Sequence, residues 1–299
     1  MSMRVTQSAI TASMLAGLQN NQARMGALQQ QLSSGKQILK PSDDPVGTDQ
    51  AMRYRAEIAR NTQYQRNAQD GQSWLGTADN ALQGGVAILQ RLQTLVTQAA
   101  NTGSGDQTSR DTIAVEVSNL KQEMLSVANT SYQGRPIFGG TTPNSAAYVQ
   151  DPNTGVVTYQ GDNGAVTRTV GLNAQVKVNV DASQAFGAGA TDVFAMFDKI
   201  NSDLASNPNG LSGDLANIQT SMHNLMNAEA TEGSAYNRIT SMTNTSTALV
   251  GTLTDNLSGV ENIDIAKTVT DLTMQQVSYQ ASLSAMSNVL QLSLTQFLK

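Results

Sequence analysis

The 299-residue sequence has no cysteine and a single histidine, His223. The lack of thiols excludes disulfide bonds, thiolate zinc sites, iron–sulfur clusters and cysteine nucleophiles. One histidine excludes any site that needs two imidazole ligands, including the two-histidine helical zinc motif. We therefore predict no cofactor, no bound metal and no catalytic site built on these groups.

Aromatic and charged side chains are also scarce, at 4% and 14% of the residues, whereas charged residues make up about 25% of an ordinary globular protein. The net charge of −5 leaves no positive excess for binding nucleic acid. No segment approaches the run of about 18 apolar residues that suggests a membrane span. The first residues lack the apolar stretch of a cleavable signal peptide. The sequence therefore predicts neither a nucleic-acid nor a membrane partner. If the protein leaves the cell, it does so by a route that needs no cleavable signal peptide.

What the sequence does contain is helical periodicity, beginning near Thr11. Apolar residues alternate at spacings of four and three, as in a coiled-coil seam, with Asn21 at one of the positions. The apolar members of this N-terminal seam are Met14, Leu18, Met25, Leu28 and Leu32. Gly35 is placed to end the helix, because glycine readily adopts the left-handed conformation just past a helix terminus.

A second, much longer helix is predicted from Pro45 to about Asn101. Asp44 suits the N-cap position, and proline suits the first helical position. A run of about 55 residues would measure roughly 80 Å. Similar periodicity predicts helices over about 108–129, 193–206 and 215–257, which together indicate a rod or bundle.

The segment between Tyr132 and about Ala190 has the two-residue period of β-strands instead. Two short strands flank a turn from Asp151 to Gly155, and Asp162-Asn163-Gly164 predicts a second hairpin turn. Valines at alternate positions from Val176 to Val180 predict a half-buried strand. The fold class is therefore mainly α with a small β insert.

The last segment of the chain repeats the heptad pattern of the first. Its predicted heptad runs from Ile265 to Phe297 and includes Gln276 at a polar position. The seam residues within it are Val269, Leu272, Tyr279, Leu283, Met286 and Leu290. Two amphipathic terminal helices are expected to pair with each other in a coiled coil.

This pair of terminal helices is predicted to be unstable without neighbours. A fully buried apolar side chain contributes about 1.5–3 kcal/mol, whereas ordering each residue costs about 1–2 kcal/mol of backbone entropy. Asn21 and Gln276 weaken the seam further. We predict that both termini are poorly ordered in the free monomer and fold when other copies supply more surface.

Two acidic clusters have a functional and a structural interpretation. Asp43-Asp44 could act as a carboxylate pair, but helix capping explains it. Asp151, Asn153 and Gly155 resemble part of a calcium loop, but the expected bidentate glutamate is missing, which favours a hairpin turn.

Four arginines cluster on the long second helix: Arg53, Arg55, Arg60 and Arg66. They are either a solvated face, offset by Glu57, or partners for ion pairs between subunits. The sequence leaves both interpretations open.

Several of these motifs resemble the bacterial flagellins. The segments from Leu32 to Lys36, from Pro41 to Pro45 and from Gln65 to Gly71 resemble the N-terminal flagellin region, and the stretch from Ile263 to Leu298 resembles the C-terminal one. The Pro41–Pro45 segment and Gly134-Arg135-Pro136-Ile137-Phe138-Gly139-Gly140 are closer to the hook–filament junction proteins of this family.

The resemblance implies a flagellin-type fold in three parts. Residues 1–43 and 258–299 would form a terminal coiled coil, residues 44–135 and 190–257 a long-helix bundle, and residues 136–189 a β domain inserted in the bundle. It also implies polymerisation-dependent ordering of the termini.

The function implied by the resemblance is structural and not enzymatic. The chain would be an extracellular subunit of the flagellum that joins hook to filament as the upper junction protein, with filament flagellin as the alternative. Its partners would be other copies of itself, the first junction protein, flagellin, an export chaperone and the flagellar type III export apparatus. An enzyme would need a convergent polar site, and a signalling coiled coil would need a membrane span; neither is found in the sequence.

Overall fold

A computed structural model describes residues 7–101 and 107–297, and long helices make up most of them. Three helices precede the β insert: Gln7–Ser34 (α1), Pro45–Asn101 (α2) and Gln107–Ala128 (α3). Two short helices and two long ones follow it: Ala182–Ala185 (α4), Val193–Ser206 (α5), Leu211–Glu261 (α6) and Ile265–Phe297 (α7). The predicted mainly helical fold is confirmed, and α2 has 57 residues.

The predicted helix ends near Gly35 and Asp44 are confirmed by the backbone geometry. Gly35 has a φ of +69°, and its N–H donates to the carbonyl of Gln31 at 2.8 Å. The Asp44 carboxylate accepts from the N–H groups of Val46 and Gly47 at 3.1 and 2.9 Å, and α2 begins at Pro45. A side-chain cap of this kind contributes about 1 kcal/mol.

The β insert consists of three separate antiparallel hairpins. The pairs are Ser131–Tyr132 (β1) with Arg135–Pro136 (β2), Tyr148–Gln150 (β3) with Val157–Tyr159 (β4), and Thr167–Gly171 (β5) with Ala174–Lys177 (β6). Asp151 accepts from the N–H groups of Asn153 and Thr154 in the turn between β3 and β4, which confirms the predicted hairpin turn.

Two predictions for the β insert are wrong in detail. Asp162-Asn163-Gly164 does not close a hairpin, because β4 pairs back with β3 and β5 pairs with β6. The Asp162 carboxylate instead accepts from the N–H groups of Thr141 and Gly164, so it ties this connection to an earlier loop. The last strand ends at Lys177 and not at Val180, although the Val178 N–H still donates to the Val166 carbonyl at 2.8 Å.

The chain divides into two compact units. The first unit comprises the described residues up to Ala59 and from Val250 onward, and the second is Arg60–Leu249. The division predicted from the sequence had three parts with other bounds, and it stays a prediction.

The continuous apolar core belongs to the second unit, with every buried member between Ala68 and Ile239. The few aromatic residues concentrate there: Phe138 packs edge-on against Phe186 at a ring distance of 4.9 Å, and Tyr148 contacts Phe194 at 5.1 Å. Among the described residues of the first unit, Ala51 and Leu253 are the only fully buried apolar side chains. The first unit therefore has no comparable core of its own.

Candidate assembly interface

The face of α1 that packs on α7 is the one predicted from its periodicity. Side chains on this face are half-buried, while those on the rest of the helix, such as Leu15, are exposed. The half-buried set includes Met14, Leu18, Asn21, Met25, Leu28 and Leu32. The predicted pairing of the two terminal helices is therefore confirmed, with α1 contributing a regular seam of alternating four- and three-residue steps.

The opposing face of α7 is only partly the predicted one. The covered positions are Thr268, Leu272, Gln275, Tyr279, Ser282 and Met286. Leu272, Tyr279 and Met286 are half-buried among these positions, and their place in an assembly seam stays a prediction. Val269, Gln276 and Leu283 are exposed, so the prediction that they face α1 is wrong. Leu290 lies on the α7 backbone, but its side chain is outside the described part of the chain.

Hydrogen bonds explain why polar residues replace the apolar ones at these positions. The Asn21 side-chain amide donates to the Ser282 hydroxyl at 3.2 Å. The Gln275 amide donates to the side-chain and main-chain oxygens of Asn21 at 3.0 and 3.3 Å. A half-buried asparagine needs such partners, and polar pairs within an apolar seam set the register of paired helices.

Because the covered face of α7 is not the predicted one, part of its apolar surface stays uncovered. Ile265, Val269 and Leu283 are 66%, 47% and 42% exposed. Spacings of 4 and 14 residues place these three side chains on one side of α7, next to the contact with α1. This exposed stripe is the largest departure from the predicted seam, and it leaves apolar surface in contact with solvent.

The connection from α1 to α2 is tied to the end of α6 by ion pairs. The Glu261 carboxylate, which is nearly buried, contacts the Lys36 ammonium at 3.3 Å and the Arg55 guanidinium at 2.5 Å. The Ile263 N–H donates to the Gly35 carbonyl at 3.1 Å. Arg55 therefore has a partner within its own chain, which the sequence pattern did not reveal because Glu261 lies more than 200 positions away.

The other three arginines of the cluster differ in their surroundings. Arg53 pairs with Asp49 one helical turn earlier, at 2.9 Å, and both side chains are exposed, as in a solvated helix face. Arg66 donates to the Gln63 side chain on the same helix. Arg60 is exposed, and no hydrogen bond or ion pair to it is found within the described residues.

Neither acidic cluster shows the geometry of a reaction centre. One Asp43 carboxylate oxygen accepts from the N–H groups of Leu39 and Lys40 at 3.2 and 2.9 Å, and Asp44 caps α2 as described above. Across the described ranges 7–101 and 107–297, no group of three or more histidine, cysteine, aspartate or glutamate side chains is placed to hold a metal ion. None of the described helices is long and apolar enough to cross a bilayer.

Comparison with known proteins relates both ends of the chain to one family. Residues 5–142 match the bacterial flagellin N-terminal helical region, and residues 215–298 match the bacterial flagellin C-terminal helical region. Two relatives align over almost their whole lengths. Flagellar hook-associated protein 3 of Escherichia coli is 24% identical over 95% of this chain and 96% of its own. A flagellin of Bacillus subtilis is 28% identical over 97% and 99%.

A solved structure has the same fold. The structure described as a flagellar hook-associated protein from Vibrio parahaemolyticus superposes with a TM-score of 0.68, covering 74% of this chain and 99% of that one at 20% identity. The fold of about three quarters of this chain thus also occurs in that solved structure. With both terminal regions matched in order and most of the chain covered, the protein belongs to the bacterial flagellin family.

Proposed function

We propose that this chain is a structural subunit of the bacterial flagellum that joins the hook to the filament as the upper junction protein. The single observation that carries its role as an assembling subunit is the terminal unit, which lacks a continuous core and leaves the apolar stripe Ile265–Val269–Leu283 uncovered. Such surface is stabilising only when another molecule covers it. The role is mechanical and not catalytic.

Assembly is proposed to use both faces of the terminal pair. The seam of Met14, Leu18, Met25, Leu28, Leu32, Leu272, Tyr279 and Met286 holds α1 on α7, while Val269 and Leu283 contact neighbouring copies. One face of the resulting zone meets the first junction protein and the other meets flagellin. Subunits reach this position through the flagellar type III apparatus with the help of an export chaperone.

Filament flagellin is the second candidate, and the similarity to the Bacillus subtilis flagellin over nearly the whole chain favours it. The relative named hook-associated protein 3 and the fold shared with a hook-associated protein favour the junction. The two functions differ in what the purified chain does alone: flagellin polymerises into long filaments, whereas a junction protein does not.

A deletion strain tests the proposal directly. We expect cells without the gene to build hooks that lack filaments and to release unpolymerised flagellin into the medium, and complementation to restore filaments. Filaments attached normally in the deletion strain would refute the junction role. Long filaments from the purified chain would assign it to flagellin instead.

A further inference from the structure

Glu232, in the middle of α6, is a buried carboxyl group without a partner. Its side chain is 3% exposed, and neither carboxyl oxygen has a hydrogen-bond partner. Burial is the main cause that raises its pKa to about 8, and the negative charges of Asp79 on α2 and Glu229 on α6 add to the effect. A buried polar group without partners costs folding free energy, so Glu232 destabilises the folded state of the free chain.

A cleft of about 380 Å³ lies beside this carboxyl group, between α2 and α6. Gly76, Asp79 and Asn80 line it from α2, and Glu232, Gly233 and Tyr236 line it from α6. A Cβ atom at Gly76 or Gly233 would have no heavy atom within 4 Å, so close packing does not require either glycine. Each costs about 1 kcal/mol relative to alanine in a helix, and together they keep the cleft open.

The chemistry of the cleft suits a cation with several donors. A guanidinium group can donate two parallel N–H bonds to one carboxylate, which would satisfy both oxygens of Glu232 at once. A metal ion fits less well, because the described ranges hold no set of three metal-ligating side chains.

The cations nearest to Glu232 in its own chain do not reach it. Lys177 and Arg238 line a second cleft, which Glu232 also lines. Lys177 pairs with Asp181 at 2.6 Å, and Arg238 makes no bond to a carboxyl group whose two oxygens are both unpartnered. A cation that fills the first cleft therefore comes from another molecule.

We propose that this cleft receives the guanidinium group of Arg60 from a second copy of the chain, which pairs with Glu232 and Asp79. The inference rests on the proposed function, since that function requires copies to assemble. Arg60 is exposed and belongs to the same compact unit as the cleft. The contact joins two different surfaces, the one around Arg60 on one copy and the cleft at Glu232 on the next. Such a head-to-tail contact extends into a ring or a helix instead of closing as a dimer.

Arg60 cannot fill the cleft of its own chain. It lies on the same helix as Asn80, 20 positions earlier, which corresponds to about 30 Å along the axis. The contact therefore requires two copies whose α2 helices are offset by a similar distance.

Proton release accompanies the contact. Glu232 is largely neutral below pH 8 in the free chain and ionises when it pairs with Arg60. The charged groups around it are Asp79 from α2, Glu229 and Arg238 from α6, and the pair formed by Lys177 at the end of β6 and Asp181. The association constant should rise up to tenfold per pH unit between about pH 6 and pH 8.

A cysteine pair tests the contact without background, because the chain has no cysteine of its own. The full-length double variant R60C/N80C, assembled on cells and treated with a bifunctional thiol cross-linker about as long as an arginine side chain, should give covalent dimers and larger ladders. The two positions lie about 30 Å apart along α2 within one chain, so every cross-link joins two copies. The matched control R66C/N80C, which moves the first thiol by six positions on the same exposed helix, should give none.

A second variant tests the carboxyl group itself. E232Q should weaken self-association at pH 8 by at least tenfold and remove its pH dependence, while the free chain keeps its helicity. Absence of R60C/N80C cross-links on cells whose filaments attach normally would overturn the inference and leave the proposed function standing. Equal cross-linking in the control would also overturn it. Saturable stabilisation of the monomer by Mg²⁺ or spermidine that E232Q abolishes would identify a small cation as the occupant instead.

Discussion

The exposed stripe on α7 gives a sharp prediction for Leu283→Asp. In the free chain this side chain is 42% exposed and lies beside the covered positions of α7. The new carboxylate stays hydrated there, so the free energy of unfolding should change by no more than about 1 kcal/mol. Circular dichroism of the purified variant should match the wild type.

The same substitution should be severe once copies assemble. Full burial of a leucine contributes about 1.5–3 kcal/mol, so the exposed share of Leu283 has about 1 kcal/mol left to contribute at each contact. An unpaired carboxylate at a dry contact adds a cost of several kcal/mol. A total of at least about 3 kcal/mol weakens each contact by at least about a hundredfold.

Motility of a complemented deletion strain measures this effect, together with the amount of flagellin released into the medium. Leu172→Asp is the matched control, because Leu172 is 72% exposed in the turn between β5 and β6, and we expect it to swim normally. Leu272→Asp, on the covered face of α7, should disturb the pairing with α1 as well. Wild-type motility of Leu283→Asp would refute the assignment of this stripe to assembly.

Three further predictions concern the free chain. Gly140→Ala should lower the free energy of unfolding by more than Gly134→Ala. Both glycines have positive φ angles, which alone cost a non-glycine residue about 1–2 kcal/mol, but only at Gly140 would the new Cβ meet a backbone oxygen at 2.1 Å. Equal melting temperatures of the two variants would contradict this prediction. The raised pKa of Glu232, about 8 against 4.5, means that the folded state binds more protons than the unfolded state, so the free energy of unfolding should fall as pH rises from about 5 to 8. In chemical denaturation, Glu232→Gln should flatten this dependence of the unfolding free energy on pH. An unchanged dependence would exclude Glu232 as its source. Limited proteolysis of the monomer should cut within residues 10–35 and 265–295 before the middle of the chain, and equal resistance throughout would show that the termini are stable alone.

The helical framework was predictable because its signals are local. Gly35 and the Asp44-Pro45 pair mark helix boundaries by backbone chemistry that needs no distant partner. The regular spacing from Met14 to Leu32 places those side chains on one face of α1 whatever they contact. The hairpin at Asp151 follows from the same kind of turn chemistry.

The features that sequence reasoning missed depend on partners far along the chain. On α7, the predicted seam and the observed contact share Leu272, Tyr279 and Met286 and differ by one residue at the positions between them. The amide of Asn21 selects Gln275 and Ser282 over the apolar alternatives, and hydropathy alone favours the opposite choice. The turn motif at Asp162-Asn163-Gly164 was wrongly assigned to a hairpin, since a turn motif does not show which strands it joins.

Glu232 is the functional candidate that the sequence did not reveal. A glutamate within a long polar helix is normally solvated, and nothing in its neighbourhood distinguishes it from Glu229, three positions earlier. Its burial against α2 is a tertiary property. The one available signal was the pair of glycines, Gly76 and Gly233, inside otherwise continuous helices.

The confinement of the core to the stretch between Ala68 and Ile239 has a consequence for how variants of this protein are screened. A melting curve of the purified chain reports mainly on the cooperative loss of that core. Substitutions on the exposed faces of α1 and α7 would then pass a thermostability screen as silent, even where they abolish the proposed assembly. Natural selection on the two ends acts through the finished organelle, so only a phenotype in living bacteria can rank them.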